Sequence, residues 1–428
     1  MQLRLNRLIM TLNKINNTKK SIFIFSVNYP FSHGEHLLEK EINHLKKEFN
    51  EITIICSDLH SDQNYKVNDD IKVFRYKPKI TIKDLIFQSN LFLTSIFINE
   101  LVIILRKYKI SDTLNLLKRA YFALISAKKY EVFIKNIIND KKDVYLYSWW
   151  LTNATIAFSL LKKQFPKVKV CSRARAVDLY LYRHNPPYLP LRNFIFQSLD
   201  KIFTISGEGK NYILNEFKGN DKNKIQISPD GIQNNFERRQ YNYEKPFTIV
   251  SCSNLLELKR IDYLIDSIAL IDKHEINWLH FGDGELKDKL INYAEDKLNT
   301  KRNISFEFLG HFRNNELMKY YSKIRIDLFI NLSEYEGVPV SIMEAFSFGV
   351  PAIATDVGGV SEIVNKENGF LIPVERDPLL VKHIIEKYIE LPLESKIKYR
   401  DAAYNTWKNK YNADVNFDKI SKSIMEIA

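Results

Sequence analysis

Apolar residues in this chain of 428 residues gather in twelve short runs separated by amphipathic stretches. Six lie in the first half: SIFIFSV (21–27), EITIICS (51–57), IKVFRY (71–76), DVYLYSW (143–149), KVKVCSR (167–173) and KIFTIS (201–206). Six more follow: FTIVSCS (247–253), INWLHFG (276–282), ISFEFLG (304–310), IDLFINL (326–332), PAIAT (351–355) and GFLIPV (369–374). Their β-branched and aromatic content predicts strands. The intervals carry helical periodicity, with helices predicted near 260–272, 285–298, 314–322 and 340–348. Strand, helix, strand at this spacing predicts parallel sheets joined by right-handed crossovers. The fold class is therefore α/β, with two Rossmann-like doubly wound domains in tandem over 21–240 and 247–405. The polar stretch 234–247, interrupted by Pro246, reads as their linker. A basic extension (1–20) precedes them. A C-terminal helix (406–428) follows, either crossing back to the first domain or packing on the second.

The segment 82–140 breaks the alternation with long helices bearing Arg106, Lys107, Lys109, Lys118, Arg119, Lys128 and Lys129. It reads either as a surface-seeking amphipathic hairpin or as core-packing helices with a solvated basic face. Its most apolar part, Leu85–Leu105, holds seven polar residues, so a transmembrane helix is not expected. The start is basic but lacks a sustained apolar core and a small-residue cleavage site, so no signal peptide is expected.

Charge divides the chain. Residues 1–240 hold 39 Lys and Arg against 22 Asp and Glu, a balance of +17; residues 241–428 hold 24 against 29, a balance of −5. The basic half suggests an anionic partner, either a membrane surface or nucleic acid, or else a solvated basic face. Nucleic acid is disfavoured because no module with the required basic and aromatic pattern is present. Cys56, Cys171 and Cys252 are few, odd in number and set in apolar runs, which reads as buried thiols in a reducing compartment.

Candidate chemistry concentrates in EYEGVPVSIMEAF, Glu334–Phe346. Pro339 suits the first position of a helix, and Gly349 and Pro351 end it. Glu336 and Gly337 then occupy a loop at the carboxyl end of a strand, where ligands of α/β sheets bind. N–H groups near Val338, Val340 and Ser341 suit a diphosphate, and Gly337 permits close approach. Glu336 and Glu344 suit polyol hydroxyls. A loop glutamate and a first-turn glutamate also occur without function.

The longer run SEYEGVPVSIMEAFSFGVPAIATDVGGVSEIV closely resembles the signature of retaining glycosyltransferases of family 4, which have the GT-B fold, two facing Rossmann-like domains with the donor in the cleft. The resemblance implies that Glu336 touches the donor sugar, Glu344 the nucleotide ribose, and the helix N-terminus the diphosphate. SCSNLLELKRIDYLIDSI (251–268) resembles the family's phosphate loop. Lys259 matches its lysine and Arg260 follows it, while Asn254 stands where the family carries an arginine. HFGDGELKDKL (280–290) and FLGHFRNNEL (308–317), with Gly310, resemble its glycine turn and nucleobase stretch. In the first half, NYPFSHGEHLLEKEI (28–42) resembles the acceptor-side glycine loop, with Gly34 as its glycine and His33 and His36 beside it. SRARAVDLY (172–180) places Arg175 and Ala176 where the family carries histidine and glycine. Arg175 is a candidate catalytic residue in direct contact with the donor phosphate, or else it marks altered donor choice or lost activity.

The implied reaction is hexosyl transfer, with retention, from a UDP- or GDP-sugar to a hydroxyl of a lipid-linked or polysaccharide acceptor in bacterial surface-glycan assembly. Lys259, Arg260 and the helix N-terminus would stabilise the leaving diphosphate. No cofactor or metal is then expected, since no D-x-D sits at a strand end and no histidine and carboxylate cluster has metal spacing. Glu336 and Glu344 are not read as a glycosidase pair, because Glu344 is assigned to the ribose. The expected location is cytoplasmic, peripheral on the inner face of the membrane. The alternatives are a non-catalytic sugar-nucleotide-binding subunit of a glycan-assembly complex and a sugar-nucleotide epimerase.

Overall fold

A computed structural model describes residues 19–427 except His33, Asp140, Lys218, Asn220, Arg239 and Tyr243. The basic extension up to residue 18, and His33, thus lie outside the described residues. The chain forms two compact units: Met1–Ile205 with Gly209–Ser228 and Phe417–Ala428, and Ser206–Glu208 with Pro229–Asn416.

The first unit is built on β1 (Lys20–Ser26), β2 (Glu51–Cys56), β3 (Lys72–Arg75), β4 (Asp143–Ser148), β5 (Lys169–Ala174), β6 (Lys201–Thr204) and β7 (Ile225–Ile227). These form one sheet in the order β3-β2-β1-β4-β5-β6-β7, every pair parallel. β1 is apolar without alternation, and Ile22, Phe23, Ile24 and Phe25 are all buried, as expected of a central strand covered on both faces. The helices Ile110–Ile138 and Asn153–Gln164 pack on this sheet and supply much of its core. Strand β7 is absent from the sequence reading because its three residues, IQI, are too short to show a period. The last helix, Ala413–Met425, joins this unit from Phe417 onward. Phe417, Ile420 and Ile424 are buried, and Tyr145 Oη donates to the Met425 carbonyl at 3.1 Å.

The second unit contains β8 (Phe247–Cys252), β9 (Ile276–Phe281), β10 (Ile304–Gly310), β11 (Leu328–Asn331), β12 (Ala352–Thr355) and β13 (Gly369–Ile372). Their order is β10-β9-β8-β11-β12-β13, again all parallel. The polar stretch 234–247 differs from its reading as a linker, because it packs within this unit. Tyr241 is buried with its hydroxyl donating to Asp327 at 2.7 Å, and Arg238 pairs with Asp401.

Both sheets reverse their strand order beside the first strand of the unit. In an open α/β sheet the crevice at such a reversal, outside the carboxyl ends of the strands, is where ligands bind. In the second unit the reversal lies between β8 and β11. The loops leaving those two strands carry Lys259 and Glu336. In the first unit it lies between β1 and β4, whose loops carry Gly34 and Trp150.

Candidate functional site

In the second unit the two switch-point loops are tied together. After β8 the chain turns through Glu257–Lys259 into helix Ile261–Ala269. After β11 it runs through Ser333–Pro339 into helix Val340–Ser347. Glu334 N–H donates to the Leu258 carbonyl at 2.9 Å and joins the loops through their backbones. Lys259 Nζ donates to Glu336 Oε1 at 2.6 Å and joins them through side chains. Asn331 Nδ2 supports the same carboxylate oxygen at 3.3 Å. A small recess lies beside the pair, lined by Ser253, Lys259, Arg260, Asn331 and Ser333 among others.

Helix geometry leaves the N–H groups of Val340 and Ser341 without intrahelical acceptors, because Ile342 and Met343 N–H both return to the Pro339 carbonyl. Val338 is buried and packs into the unit's core. Glu344 is buried one turn into the helix and accepts from Asn314 Nδ2 at 2.5 Å. Burial, with the Glu344 charge adding to it, pushes the Cys252 thiol up. Burial likewise raises the Tyr321 hydroxyl, to which Cys252 and Glu344 also contribute. Both groups therefore stay neutral.

The Glu336 loop owes its shape to residues that the sequence reading did not single out. Gly358 sits at φ +54, and a Cβ there would stand 2.0 Å from the Glu336 carbonyl oxygen. Gly359 N–H donates to the Gly337 carbonyl at 2.8 Å. The glycine pair in DVGGVSEI is thus the seat of the loop. Its signal was present, since adjacent glycines mark close backbone approach. Asn331 and Asn314, which hold the two glutamates, carry no such signal. Gly310 ends β10 at φ +75 in open space, and its carbonyl accepts from Gly282 N–H at 2.8 Å.

Two candidate arginines are held by contacts within their own units. Arg260 adopts a left-handed backbone (φ 52), which turns its side chain beneath the sheet ends. There Nη1 donates to the Val374 carbonyl at 2.6 Å and the guanidinium lies 4.6 Å from the Tyr263 ring centroid. It is buried, anchors the segment after β13 and lines the same recess as Lys259. Arg175, in the first unit, is buried as well. Its Nη1 donates to the Trp149 carbonyl at 2.7 Å, and its guanidinium lies 3.9 Å from the Trp149 ring and 5.0 Å from that of Trp150. A guanidinium held this way braces the β4 loop. Asn254, where the related sequences carry arginine, is exposed.

At the first unit's switch point Gly34 has φ +107 and is exposed. The loop it belongs to closes on Glu35, whose buried carboxylate accepts from the N–H groups of Val27, Asn28 and Tyr29 at 3.1, 2.8 and 2.7 Å. Trp150 Nε1 donates to the same carboxylate. Glu35 thus fixes the glycine loop and ties it to the β4 loop.

His280, at the end of β9, is fully buried, with Ser251 Oγ 2.9 Å from its Nδ1. Trp278 Nε1 donates to that hydroxyl, so the hydroxyl proton goes to His280 Nδ1. Burial pulls the imidazole from an ordinary 6.5 down to about 4. As pH falls, the unfolded chain binds this proton first, so the contribution is whole above 6.5 and is lost towards 4. Between pH 8 and pH 5 the expected loss is about 2 kcal/mol. Urea unfolding should show His280→Gln losing less stability than the parent over that interval; equal losses would assign the acid sensitivity elsewhere.

Residues 233–406 match the family model described as glycosyl transferases group 1. Among curated relatives, the GtfA subunit of the UDP-N-acetylglucosamine–peptide N-acetylglucosaminyltransferase of Streptococcus agalactiae is 28% identical over 207 residues, 46% of this chain and 39% of the relative. The O-antigen biosynthesis glycosyltransferase WclY of Escherichia coli is 29% identical over 174 residues, 38% of this chain and 45% of the relative. The chain therefore spans under half the length of these two relatives. Two solved structures share the architecture through nearly the whole chain. The lipopolysaccharide outer core galactosyltransferase WaaB, at 16% identity, aligns with a TM-score of 0.66 over 95% of this chain and 99% of its own. Anabaena HepE in complex with UDP and glucose, at 15% identity, aligns at 0.62 over 95% and 100%. At these identities the likeness is one of fold. Residues 233–406 are thus similar to the glycosyl transferases group 1, and the two parallel sheets share the fold of solved GT-B glycosyltransferases.

Proposed function

We propose that the protein is a retaining glycosyltransferase of bacterial surface-glycan assembly. It moves a hexose from a nucleotide diphosphate sugar to a hydroxyl of a lipid-linked acceptor on the cytoplasmic side of the membrane. The observation that carries this reading is the meeting of Lys259 and Glu336 at the switch point of β8 and β11, beside the N-terminus of helix Val340–Ser347. A diphosphate drawn to that helix end would take Lys259 from Glu336 and leave the carboxylate to the sugar hydroxyls. Glu344 and Asn314, one helical turn away, form a pair suited to a ribose. Charge on the leaving diphosphate is then met by Lys259 and by the Val340 and Ser341 N–H groups, and no metal is assigned a role. UDP is the favoured nucleotide, since HepE is solved with it and the GtfA relatives are named for a UDP-sugar.

The test is a titration of the purified chain with UDP, GDP and their sugar conjugates, followed by sugar release. Selective binding with slow release is expected. Lys259→Ala should weaken nucleoside diphosphate binding by about 10–100-fold, the worth of a hydrogen bond to a charged group; an unchanged affinity would remove Lys259 from the phosphate. Binding without release, with acceptor lipid supplied, would favour the non-catalytic subunit. Failure to bind any nucleoside diphosphate would overturn the reading.

A further inference from the structure

Ten of the 23 large hydrophobic side chains that the described residues leave exposed fall between Ile82 and Leu114. Single exposed hydrophobes need no explanation, but a concentration of this kind marks an interaction surface. Helix Ile82–Phe87 buries none of its residues, and Phe87 is 81% exposed. Leu93, also 81% exposed, ends the turn that follows. Helix Ser95–Lys107 points Phe97, Glu100 and Ile104 inward. It presents Ile98, Val102 and Leu105 outward, a stripe at the spacing of one helix face. The long helix behind it begins with Ile110, 91% exposed, and Leu114, 80% exposed.

The inner side of this segment is firmly held. Tyr121 Oη donates to the Leu85 carbonyl at 2.9 Å, Phe92 stacks on Tyr121 with ring centroids 4.1 Å apart, and Tyr188 Oη donates to buried Glu100 at 2.7 Å. The exposed stripes therefore belong to a packed element rather than to a loose one. Charge names what covers them. Residues 77–119 hold eight Lys and Arg against three acidic residues. Of those three, Glu100 is buried and Asp84 caps its own helix and pairs with Lys129. Apolar tips bordered by basic side chains match one leaflet of an anionic bilayer, and they differ from a protein interface, where lysine is depleted. No single described helix is long and apolar enough to cross a membrane; Ile82–Leu93 and Ser95–Lys107, bent at 80°, have together the length and composition of a broken span or a re-entrant loop, but the inward side of both is packed against the unit.

We propose that Ile82–Leu114 is a membrane-seating surface, which inserts Phe87, Leu93, Ile110 and Leu114 below the headgroups of an anionic leaflet while the neighbouring lysines and arginines contact the headgroups. The proposal needs no donor and stands independently of the transfer reaction. The test is flotation of the full chain with vesicles of phosphatidylcholine, alone or with about one third phosphatidylglycerol. Partition should be about tenfold higher on the anionic vesicles, fall with added salt, and drop about tenfold in Phe87→Ser/Leu93→Ser. These positions are exposed, so thermal unfolding of the double variant should match the parent. A Leu93→Trp variant should be quenched by bromine-labelled acyl chains. Absence of vesicle binding, equal binding by the double variant, or an unquenched Trp at 93 would overturn the proposal. So would a parent that sediments as a dimer and a double variant that sediments as a monomer, which would give the face to a second copy of the chain. None of these outcomes bears on nucleotide binding.

Discussion

Glu336→Gln is expected to lower sugar transfer by about 10²–10³-fold, the loss typical of removing one preorganised electrostatic contact, while binding of the free nucleoside diphosphate is kept or tightened. The asymmetry follows from the ion pair. Without ligand, Glu336 holds Lys259 at 2.6 Å, with both side chains at most one-fifth exposed. A bound diphosphate has to take Lys259 from that carboxylate, so removing the charge of Glu336 frees the lysine for phosphate. The same change removes the negative charge offered to the sugar hydroxyls and replaces one of its two acceptor oxygens by an NH2 donor. The parent and variant would be compared by calorimetric titration with UDP and by initial rates of transfer. A rate within threefold of the parent would exclude Glu336 from the reaction. A parallel loss of nucleotide affinity and rate would reduce it to a prop for Lys259. Glu344→Gln makes a useful contrast, since its partner is the neutral Asn314 and its loss should fall mainly on nucleotide affinity.

Much of this arrangement is legible in the sequence. All the strands but β7 announce themselves, the central ones because parallel strands buried on both faces are continuous apolar runs. The loop and helix of Glu334–Ser347 are readable because Gly337, Pro339 and Gly349 punctuate them. Two kinds of information were not readable. The first is where a long cation sends its charge. Arg175 and Arg260 stand at positions from which a guanidinium reaches a phosphate, yet each ends on a backbone carbonyl and an aromatic face. The Trp149 and Tyr263 rings that receive them are set by the folded chain. The second is second-layer support. Asn331 and Asn314 each hold a glutamate through one hydrogen bond and Glu35 accepts four, and an asparagine or glutamate that does so has the same local sequence as one facing solvent. The polar stretch 234–247 misled for a related reason. Its composition suits a linker, but Tyr241, buried against Asp327, and Arg238, paired with Asp401, bind it to the second unit.

Gly358→Ala should displace the loop that carries Glu336. Two effects add at this position. The backbone is left-handed at φ +54, which costs an L-residue about 1–2 kcal/mol. The new Cβ would also lie 2.0 Å from the Glu336 carbonyl oxygen and 3.6 Å from that of Gly337. Both neighbours are backbone, so neither can rotate away, and the loop carrying Glu336 has to move. Gly219→Ala separates the two effects, because it shares the left-handed conformation (φ +85) but meets nothing within 4 Å. Gly219→Ala should therefore lose about 1–2 kcal/mol in urea unfolding and keep its transfer rate. Gly358→Ala should lose more stability and, in the molecules that remain folded, at least about tenfold in rate, because a shift of about 1 Å at a reacting group is worth that much or more. Rates are to be normalised to the folded fraction from circular dichroism. A Gly358→Ala enzyme with full rate per folded molecule would show that the loop tolerates displacement, and the role given to Glu336 would then require a different source of positioning.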